Sequence, residues 1–174
     1  VTGGNTVYVQ GIHFGSLDYG VVVSIGDTAC TATTYSTNSL LQCVAAAGVG
    51  AGLAVRVAVD GQVGSMLDVV SYDSPRVTGL SAVSGSTTGG ESASVFGSNY
   101  GLYDSSVRVR VGWTVCSAGS WMSDTSVRCG LGAGVGGSKG ATVTAGRQEG
   151  TFVASFSYTA PGPSGVVPRN VGTT

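Results

Sequence analysis

This 174-residue chain contains four cysteines, and their spacing would allow them to form covalent bonds with one another. They stand at Cys30, Cys43, Cys116 and Cys129, and four cysteines permit three disulfide pairings. Zinc would require closer cysteine spacing or several histidine ligands, whereas the chain has one histidine, His13. The cysteines are therefore candidates for disulfides, and four free thiols packed in a core are the alternative.

Two glycine-rich motifs resemble catalytic signatures. The stretch GAGVGG at residues 132–137 matches G-x-G-x-x-G, but a dinucleotide site needs a helix next, and ATVTA is typical of a strand. The stretch GGSKG at residues 136–140 matches G-x-S-x-G, but a nucleophilic serine needs a downstream histidine, and His13 lies upstream. The nine acidic residues form no shared pattern. We therefore expect no catalytic residue, no cofactor and no enzyme activity.

A sequence repeat organises the chain. Shifting the sequence by 86 positions, the interval from Cys30 to Cys116, aligns it on itself without a gap. The matched pairs are Gly11 with Gly97, Gly15 with Gly101, Asp18 with Asp104, Gly26 with Gly112, and Cys43 with Cys129. Such a repeat indicates two copies of one structural unit. We expect the chain to be a window from a longer array of such units.

The repeat favours one disulfide pairing. If Cys30 pairs with Cys43, and Cys116 with Cys129, each copy has the same closed loop. A loop of about 14 residues stabilises a fold by roughly 3 kcal/mol. Disulfides indicate an oxidising compartment, so we expect an extracellular or cell-surface protein. Asp18 and Asp104 are predicted to accept hydrogen bonds in turns, with calcium binding as the alternative.

Apolar residues alternate with polar ones in both copies, which predicts short antiparallel strands. Val21, Val23 and Ile25 match Val107, Val109 and Val111. A copy of 86 residues with six or seven strands is typical of a β-sandwich. The predicted fold class is all-β, with two tandem immunoglobulin-like β-sandwiches.

Composition excludes some partners. Charged residues make up 10% of the chain and the net charge is -1, so binding to nucleic acid is not expected. Arg108 and Arg110 alternate with core valines and are predicted to lie on a solvated strand face. The longest uncharged apolar stretch, Val44 to Val55, is shorter than the ~20 residues of a membrane helix. We expect no direct membrane insertion.

The stretch TTGGESASVFGSNYG at residues 87–101 resembles the signature of IPT/TIG domains. VRVGWTVCS, the later Cys129 and FSY before Pro161 resemble further strands of that family. The resemblance implies immunoglobulin-like modules that act as spacers or binding modules in cell-surface proteins such as plexins and fibrocystin-type proteins. The first copy departs from the pattern, with His13 in place of Asn99 and no opening strand.

The predicted boundaries follow from the resemblance. An IPT/TIG-like domain without an opening strand occupies residues 1–75, and a second domain occupies residues 76–161. Residues 162–174 are a linker or the opening strand of a following repeat.

Differences between the copies suggest an interface. By strand alternation Tyr8, Val22, Leu67 and Val69 point outward in the first copy, where the second copy has Ser94, Arg108, Val153 and Ser155. A contiguous apolar patch is a candidate interface, and scattered apolar surface residues are the alternative.

We expect a non-enzymatic structural or adhesive segment that packs against other domains of the same long chain and against neighbouring chains. The rival interpretation is a ligand-binding receptor ectodomain. Trp113 and Trp121 are expected at packing or sandwich-edge positions rather than as ligand platforms.

Overall fold

A computed structural model describes residues 1–117, 119–165 and 167. Its described residues form sixteen β-strands in four sheets. Two sheets face each other in each half of the chain, so the two halves form the first sandwich (β1–β7) and the second sandwich (β8–β16). The all-β, tandem immunoglobulin-like fold predicted from the sequence is confirmed.

The first sandwich has seven strands, because apolar residues recur at every second position between glycine-rich turns. The sheet orders are β1-β5-β4 and β3-β2-β6-β7. The strands are β1 Thr6–Gln10, β2 Val22–Ile25, β3 Thr28–Ala29, β4 Ala32–Thr37, β5 Leu40–Val44, β6 Leu53–Val59 and β7 Gln62–Val70.

The second sandwich repeats this arrangement and begins with two additional strands. Its sheet orders are β13-β14-β10-β8 and β12-β11-β15-β16-β9. The strands are β8 Arg76–Leu80, β9 Ser84–Gly85, β10 Ser92–Ser98, β11 Arg108–Val111, β12 Thr114–Val115, β13 Ser120–Ser123, β14 Ser126–Gly130, β15 Lys139–Ala145 and β16 Gln148–Tyr158.

Each sandwich has its own apolar core. Val23 and Leu41 are fully buried between the sheets of the first sandwich, as are Val95 and Val143 in the second. Burying one such side chain contributes about 1.5 to 3 kcal/mol relative to exposing it. The two cores share no residue, so the repeated sequence folds as two units.

A disulfide crosses each core. The structure contains the pairs Cys30–Cys43 and Cys116–Cys129, with Cα–Cα distances of 5.7 and 5.3 Å. In the first sandwich Cys30 follows β3 of one sheet, and the fully buried Cys43 lies on β5 of the other. The bond therefore joins the two sheets covalently.

The strands β8 and β9 distinguish the two sandwiches. All of residues 1–75 are described, and among them no strand takes the place of β8 or β9. β8 pairs with β10, and β9 pairs in parallel with β16, so these strands extend both sheets of the second sandwich. Of the predicted segment 162–174, residues 166 and 168–174 lie outside the described residues, and residues 162–165 form no strand.

His13 and Asn99 share a backbone requirement. Each has a φ of 65°, in the left-handed region, where His and Asn are enriched among non-glycine residues. Asn99 also donates a hydrogen bond to the carbonyl oxygen of Ser74, 3.1 Å away in the segment before β8.

Candidate interaction surfaces

An apolar row crosses the outer face of the four-stranded sheet of the first sandwich. Val22 of β2 pairs with Ala58 of β6, and Ala58 pairs with Val63 of β7. Val22 is 50% exposed and Val63 is 66% exposed. Leu67, which is 71% exposed, lies on the same face of β7 by strand alternation. We call these four residues the apolar row.

The second sandwich has a polar row at the same positions. Arg108 of β11 pairs with Thr144 of β15, which pairs with Glu149 of β16. Glu149 also accepts a hydrogen bond from Arg110, with Nη2 and Oε2 3.0 Å apart, and another from the hydroxyl of Thr144. The row Val22–Ala58–Val63 of the first sandwich is thus apolar where the second sandwich carries charges, although the next row of the first sandwich contains the exposed Arg56.

The structure divides the predicted interface residues into two groups. Val22 and Leu67 belong to the apolar row. Tyr8 lies on β1 in the other sheet, and it lines a groove together with Val69 of β7. All four side chains are exposed, but they do not form one face. The sequence analysis did not include Val63, although the repeat aligns this valine with the charged Glu149.

The groove lies between the edges of β1 and β7 in the first sandwich. Its volume is about 370 Å³, and apolar side chains line most of it. Val9, Val57 and Val70 line its floor, and all three are partly exposed. Their counterparts Val95, Val143 and Phe156 are 0 to 1% exposed in the second sandwich. The groove therefore opens into the core of the first sandwich.

Close contacts join the two sandwiches. The Gln148 side chain donates a hydrogen bond from Nε2 to the carbonyl oxygen of Tyr72, 2.9 Å away. A Cβ atom added to Gly146 would lie 2.6 Å from the Cα of Gly50, so these backbones touch. Tyr72 in turn donates a hydrogen bond from its hydroxyl to the Ala46 carbonyl at 2.8 Å. Burial, and then the neighbouring Tyr103, raise the pKa of Tyr72.

The contact with Gly50, rather than the turn conformation, requires glycine at position 146. Gly146 and Arg147 form the β15–β16 turn, with φ values of 54° and 68°. In the first sandwich Asp60 occupies the equivalent turn position with a φ of 45°. The turn therefore accepts a side chain, and the approach of Gly50 excludes one at position 146.

The two tryptophans have different environments. Trp121 packs against the core of the second sandwich and donates a hydrogen bond from Nε1 to the Gly101 carbonyl, 3.1 Å away. Its counterpart Tyr35 makes the same bond to Gly15 at 2.8 Å. Trp113, in the turn between β11 and β12, is 95% exposed. Trp121 is thus a packing residue, and Trp113 lies at the sandwich edge.

The remaining candidate motifs have structural roles. Asp18 accepts a hydrogen bond from the N–H of Gly20, and Asp104 from that of Ser106, which confirms their predicted place in turns. Residues 132–138 form a loop that leads into β15, so no helix follows the glycine-rich motif. Within the described ranges, no three His, Cys, Asp or Glu residues are placed to hold a metal ion.

The fully buried Tyr100 is the counterpart of Phe14. Within the part of the chain that the structure describes, the Tyr100 hydroxyl has no hydrogen-bond partner. Burial raises its pKa to about 12. The Tyr100 hydroxyl is thus buried without a hydrogen bond, at a position where Phe14 of the first sandwich has no hydroxyl group.

Tandem β-sandwiches, each with one internal disulfide, define an immunoglobulin-like repeat protein. A family model described as IPT/TIG domain matches residues 1–72 and 75–160. The chain therefore belongs to the IPT/TIG domain family. A search of curated proteins found no match.

One solved structure has a similar fold, and a second gives a weaker match. The surface glycan-binding protein PbSGBP-B of Prevotella bryantii is 15% identical, with a TM-score of 0.59, and the match covers 87% of this chain and 36% of that one. The extracellular region of plexin A4 is 19% identical, with a TM-score of 0.47, and the match covers 91% of this chain and 17% of that one. The chain thus spans about a third or less of these proteins. Among its own described residues, no helix is long and apolar enough to cross a membrane.

Proposed function

We propose that the chain is a structural segment of an extracellular or cell-surface protein, without enzyme activity. Two features support this proposal: a disulfide in each sandwich, and a fold similar to that of a surface glycan-binding protein. The segment sets the spacing between neighbouring parts of an assembly. Its first sandwich packs laterally against a neighbouring copy of the chain.

The apolar row carries this proposal. Val22, Ala58 and Val63 stand side by side on one face of the sheet, and Leu67 lies on the same face beyond Ser65. Single exposed apolar residues, by contrast, are scattered on ordinary surfaces. The second sandwich shows that the fold accepts Arg108 and Glu149 at two of these positions. The fold itself therefore does not require valine at positions 22 and 63. Packing against a partner explains the two apolar side chains.

A second copy is the partner that we propose for this face. The net charge of the chain is -1, so long-range repulsion between copies is weak. A net charge near zero favours association of like molecules. The close contacts between the sandwiches supply the stiffness that a fixed spacing requires.

The test replaces the apolar row with the charges of the second sandwich. The double variant Val22→Arg, Val63→Glu keeps the net charge and introduces residues that this sheet position already accepts. We expect the original chain to self-associate in analytical ultracentrifugation and the double variant to remain monomeric. The matched control is Val83→Arg with Val135→Glu, because both valines are exposed in the second sandwich. Self-association that persists in the double variant would contradict the proposal.

A ligand-binding ectodomain module is the second candidate, and Trp113 is the observation that favours it. A fully exposed indole offers a large rigid contact surface, and tryptophan is enriched at binding hot spots. The similar fold of a glycan-binding protein makes a soluble oligosaccharide the first probe. Quenching of tryptophan fluorescence by that probe, lost in Trp113→Ala but kept in Trp121→Phe, would favour this function.

A further inference from the structure

The two sandwiches carry side-chain charges of opposite net sign. Residues 1–75 contain one arginine and five aspartates, which give the first sandwich a net charge of -4. Residues 76–165 contain six arginine and lysine residues and four aspartate and glutamate residues, which give the second sandwich a net charge of +2. Arg169 accounts for the rest of the chain's net charge of -1. The chain is therefore nearly neutral as a whole but has an acidic and a basic half.

Most of these charges have no partner within the chain. The described part of the chain contains two ion pairs, Arg56–Asp27 and Arg110–Glu149, and each lies within one sandwich. In the first sandwich the exposed aspartates outside these pairs are Asp18, Asp60, Asp68 and Asp73. In the second sandwich the exposed arginines outside these pairs are Arg76, Arg108, Arg128 and Arg147. Each sandwich therefore presents unpaired charges of mainly one sign to its surroundings.

The junction between the sandwiches does not use these charges. Uncharged groups make its contacts, such as the hydrogen bond from Gln148 to Tyr72 and the approach of Gly146 to Gly50. The unpaired arginines lie on both sheets of the second sandwich, since Arg108 is on β11 and Arg128 on β14. The basic sandwich can thus attract an acidic surface of another molecule from more than one side.

The proposed lateral contact needs a second contact of a different kind. A contact in which the apolar rows of two copies face each other is isologous, so it joins two copies and then closes. It also brings together two sandwiches that each have a net charge of -4. A basic second sandwich from another copy, placed beside each acidic first sandwich, offsets this repulsion.

We propose that copies of the chain also associate side by side in an antiparallel arrangement, in which the first sandwich of each copy lies beside the second sandwich of the other. The partner is a second copy because one molecule carries both signs of charge on separate sandwiches. Complementary charge contributes more to orientation and association rate than to affinity, so this contact sets the register of the copies. A copy with two different pairwise contacts has a neighbour at each, so the assembly continues. This inference rests on the proposed function and uses residues outside the apolar row.

Ionic strength tests the contact in full-length chains that carry Val22→Arg and Val63→Glu. These changes remove the lateral contact and leave the first sandwich at -4. The Debye length is about 30 Å at 0.01 M salt and about 8 Å at 0.15 M. We expect the association constant, measured by sedimentation equilibrium, to be at least about tenfold greater at the lower salt concentration. Equal association at both concentrations, or none at the lower one, would overturn the proposal. The original chain at the higher concentration reports on the apolar row instead, so the two proposals can fail separately.

An exchange of charges tests whether the attraction lies between the sandwiches. Asp73→Lys with Arg128→Glu keeps the net charge of the chain but changes the two sandwiches from -4 and +2 to -2 and 0. In the same background this variant should lose its dependence on ionic strength. Asp73→Glu with Arg128→Lys is the matched control and should keep that dependence. If the two variants associate alike, the proposal is wrong.

Paramagnetic relaxation identifies which sandwiches meet. A nitroxide label is attached to a cysteine introduced by Ser65→Cys, an exposed position of the first sandwich, and this chain is mixed with an isotope-labelled chain of the same background. At low salt the label should broaden the amide signals of the second sandwich, including those near Arg108 and Arg128, more than those of the first. The mixture at 0.15 M salt is the control, where the broadening should decrease as the Debye length falls to about 8 Å. Broadening confined to the first sandwich would contradict the antiparallel arrangement.

Discussion

Gly64 and Gly150 occupy the same position in the two sandwiches, but among the described residues another segment crosses Gly150 and none crosses Gly64. Pro75 passes so close to Gly150 that no side chain fits there, whereas the space above Gly64 is open. Neither glycine has a positive φ that would by itself require glycine. A comparison of the two glycines therefore distinguishes the steric effect of the segment that leads into β8 from the conformational freedom of glycine.

The first prediction concerns this pair. Gly150→Ala should destabilise the second sandwich by about 1 to 3 kcal/mol, because the new methyl group displaces the start of β8. Gly64→Ala should leave the first sandwich unchanged or stabilise it by about 0.5 kcal/mol, because alanine restricts the unfolded chain. Urea unfolding of both variants measures the difference. Equal losses would show that β8 does not restrict the second sandwich.

The second prediction concerns the contact between the sandwiches. Gly146→Asp places in the second sandwich the residue that Asp60 provides in the equivalent turn of the first. We expect the variant to keep both unfolding transitions and to gain interdomain freedom, because its Cβ cannot fit beside Gly50. Small-angle X-ray scattering should show a broader distribution of maximum dimensions. Asp60→Gly is the matched control, and similar scattering of all three proteins would contradict a stiff junction.

The third prediction concerns the unpartnered hydroxyl of Tyr100. A buried polar group without a hydrogen bond costs about 1 to 3 kcal/mol, so Tyr100→Phe should stabilise the second sandwich. The reciprocal change Phe14→Tyr should destabilise the first sandwich. Thermal unfolding of both variants tests the pair. A loss of stability in Tyr100→Phe would show that the hydroxyl has a partner.

The same tyrosine gives the stability an alkaline pH dependence. The pKa of Tyr100 is about 12 in the folded chain, above the ordinary value of 10.0. The folded state therefore holds this proton more tightly than the unfolded chain does. The free energy of unfolding is unaffected by this group below pH 10 and decreases as the pH rises towards 12. The loss amounts to about 2 to 3 kcal/mol. Tyr100→Phe should lack this component when unfolding is compared at pH 9 and pH 11.5.

The fourth prediction concerns the disulfides. Replacing Cys30 and Cys43 by alanine should destabilise the first sandwich by roughly 3 kcal/mol, because each bond closes a loop of about 14 residues. The transition of the second sandwich should change little, since the two cores share no residue. Differential scanning calorimetry resolves the two transitions, and the replacement of Cys116 and Cys129 is the reciprocal control. A shift of both transitions together would show one cooperative unit.

Much of the fold could be predicted from the sequence. The alternation of Val107, Val109 and Val111 with polar residues places the three valines in the core, because strand geometry has a period of two. The 86-residue repeat showed two equivalent units with the same cysteine spacing. Local pattern and chain symmetry were sufficient for these features.

The surfaces could be predicted only in part. Alternation shows that Tyr8 and Val22 point outward, but it does not show which sheet each strand joins. Pairing placed them in different sheets, because β1 pairs with β5 and β2 pairs with β6. The contact of Gly146 with Gly50 depends on the relative placement of the two sandwiches, which has no local signature in the sequence.

Photo-crosslinking from the apolar row tests the lateral contact most directly. A photoreactive leucine analogue placed at Leu67 should form crosslinks between chains, and mass spectrometry should map them to the first sandwich of a neighbouring copy. The same analogue at Val153, the exposed counterpart in the second sandwich, should form few or none. Equal crosslinking from both positions, or none from position 67 at concentrations where the chain self-associates, would contradict lateral packing through this face.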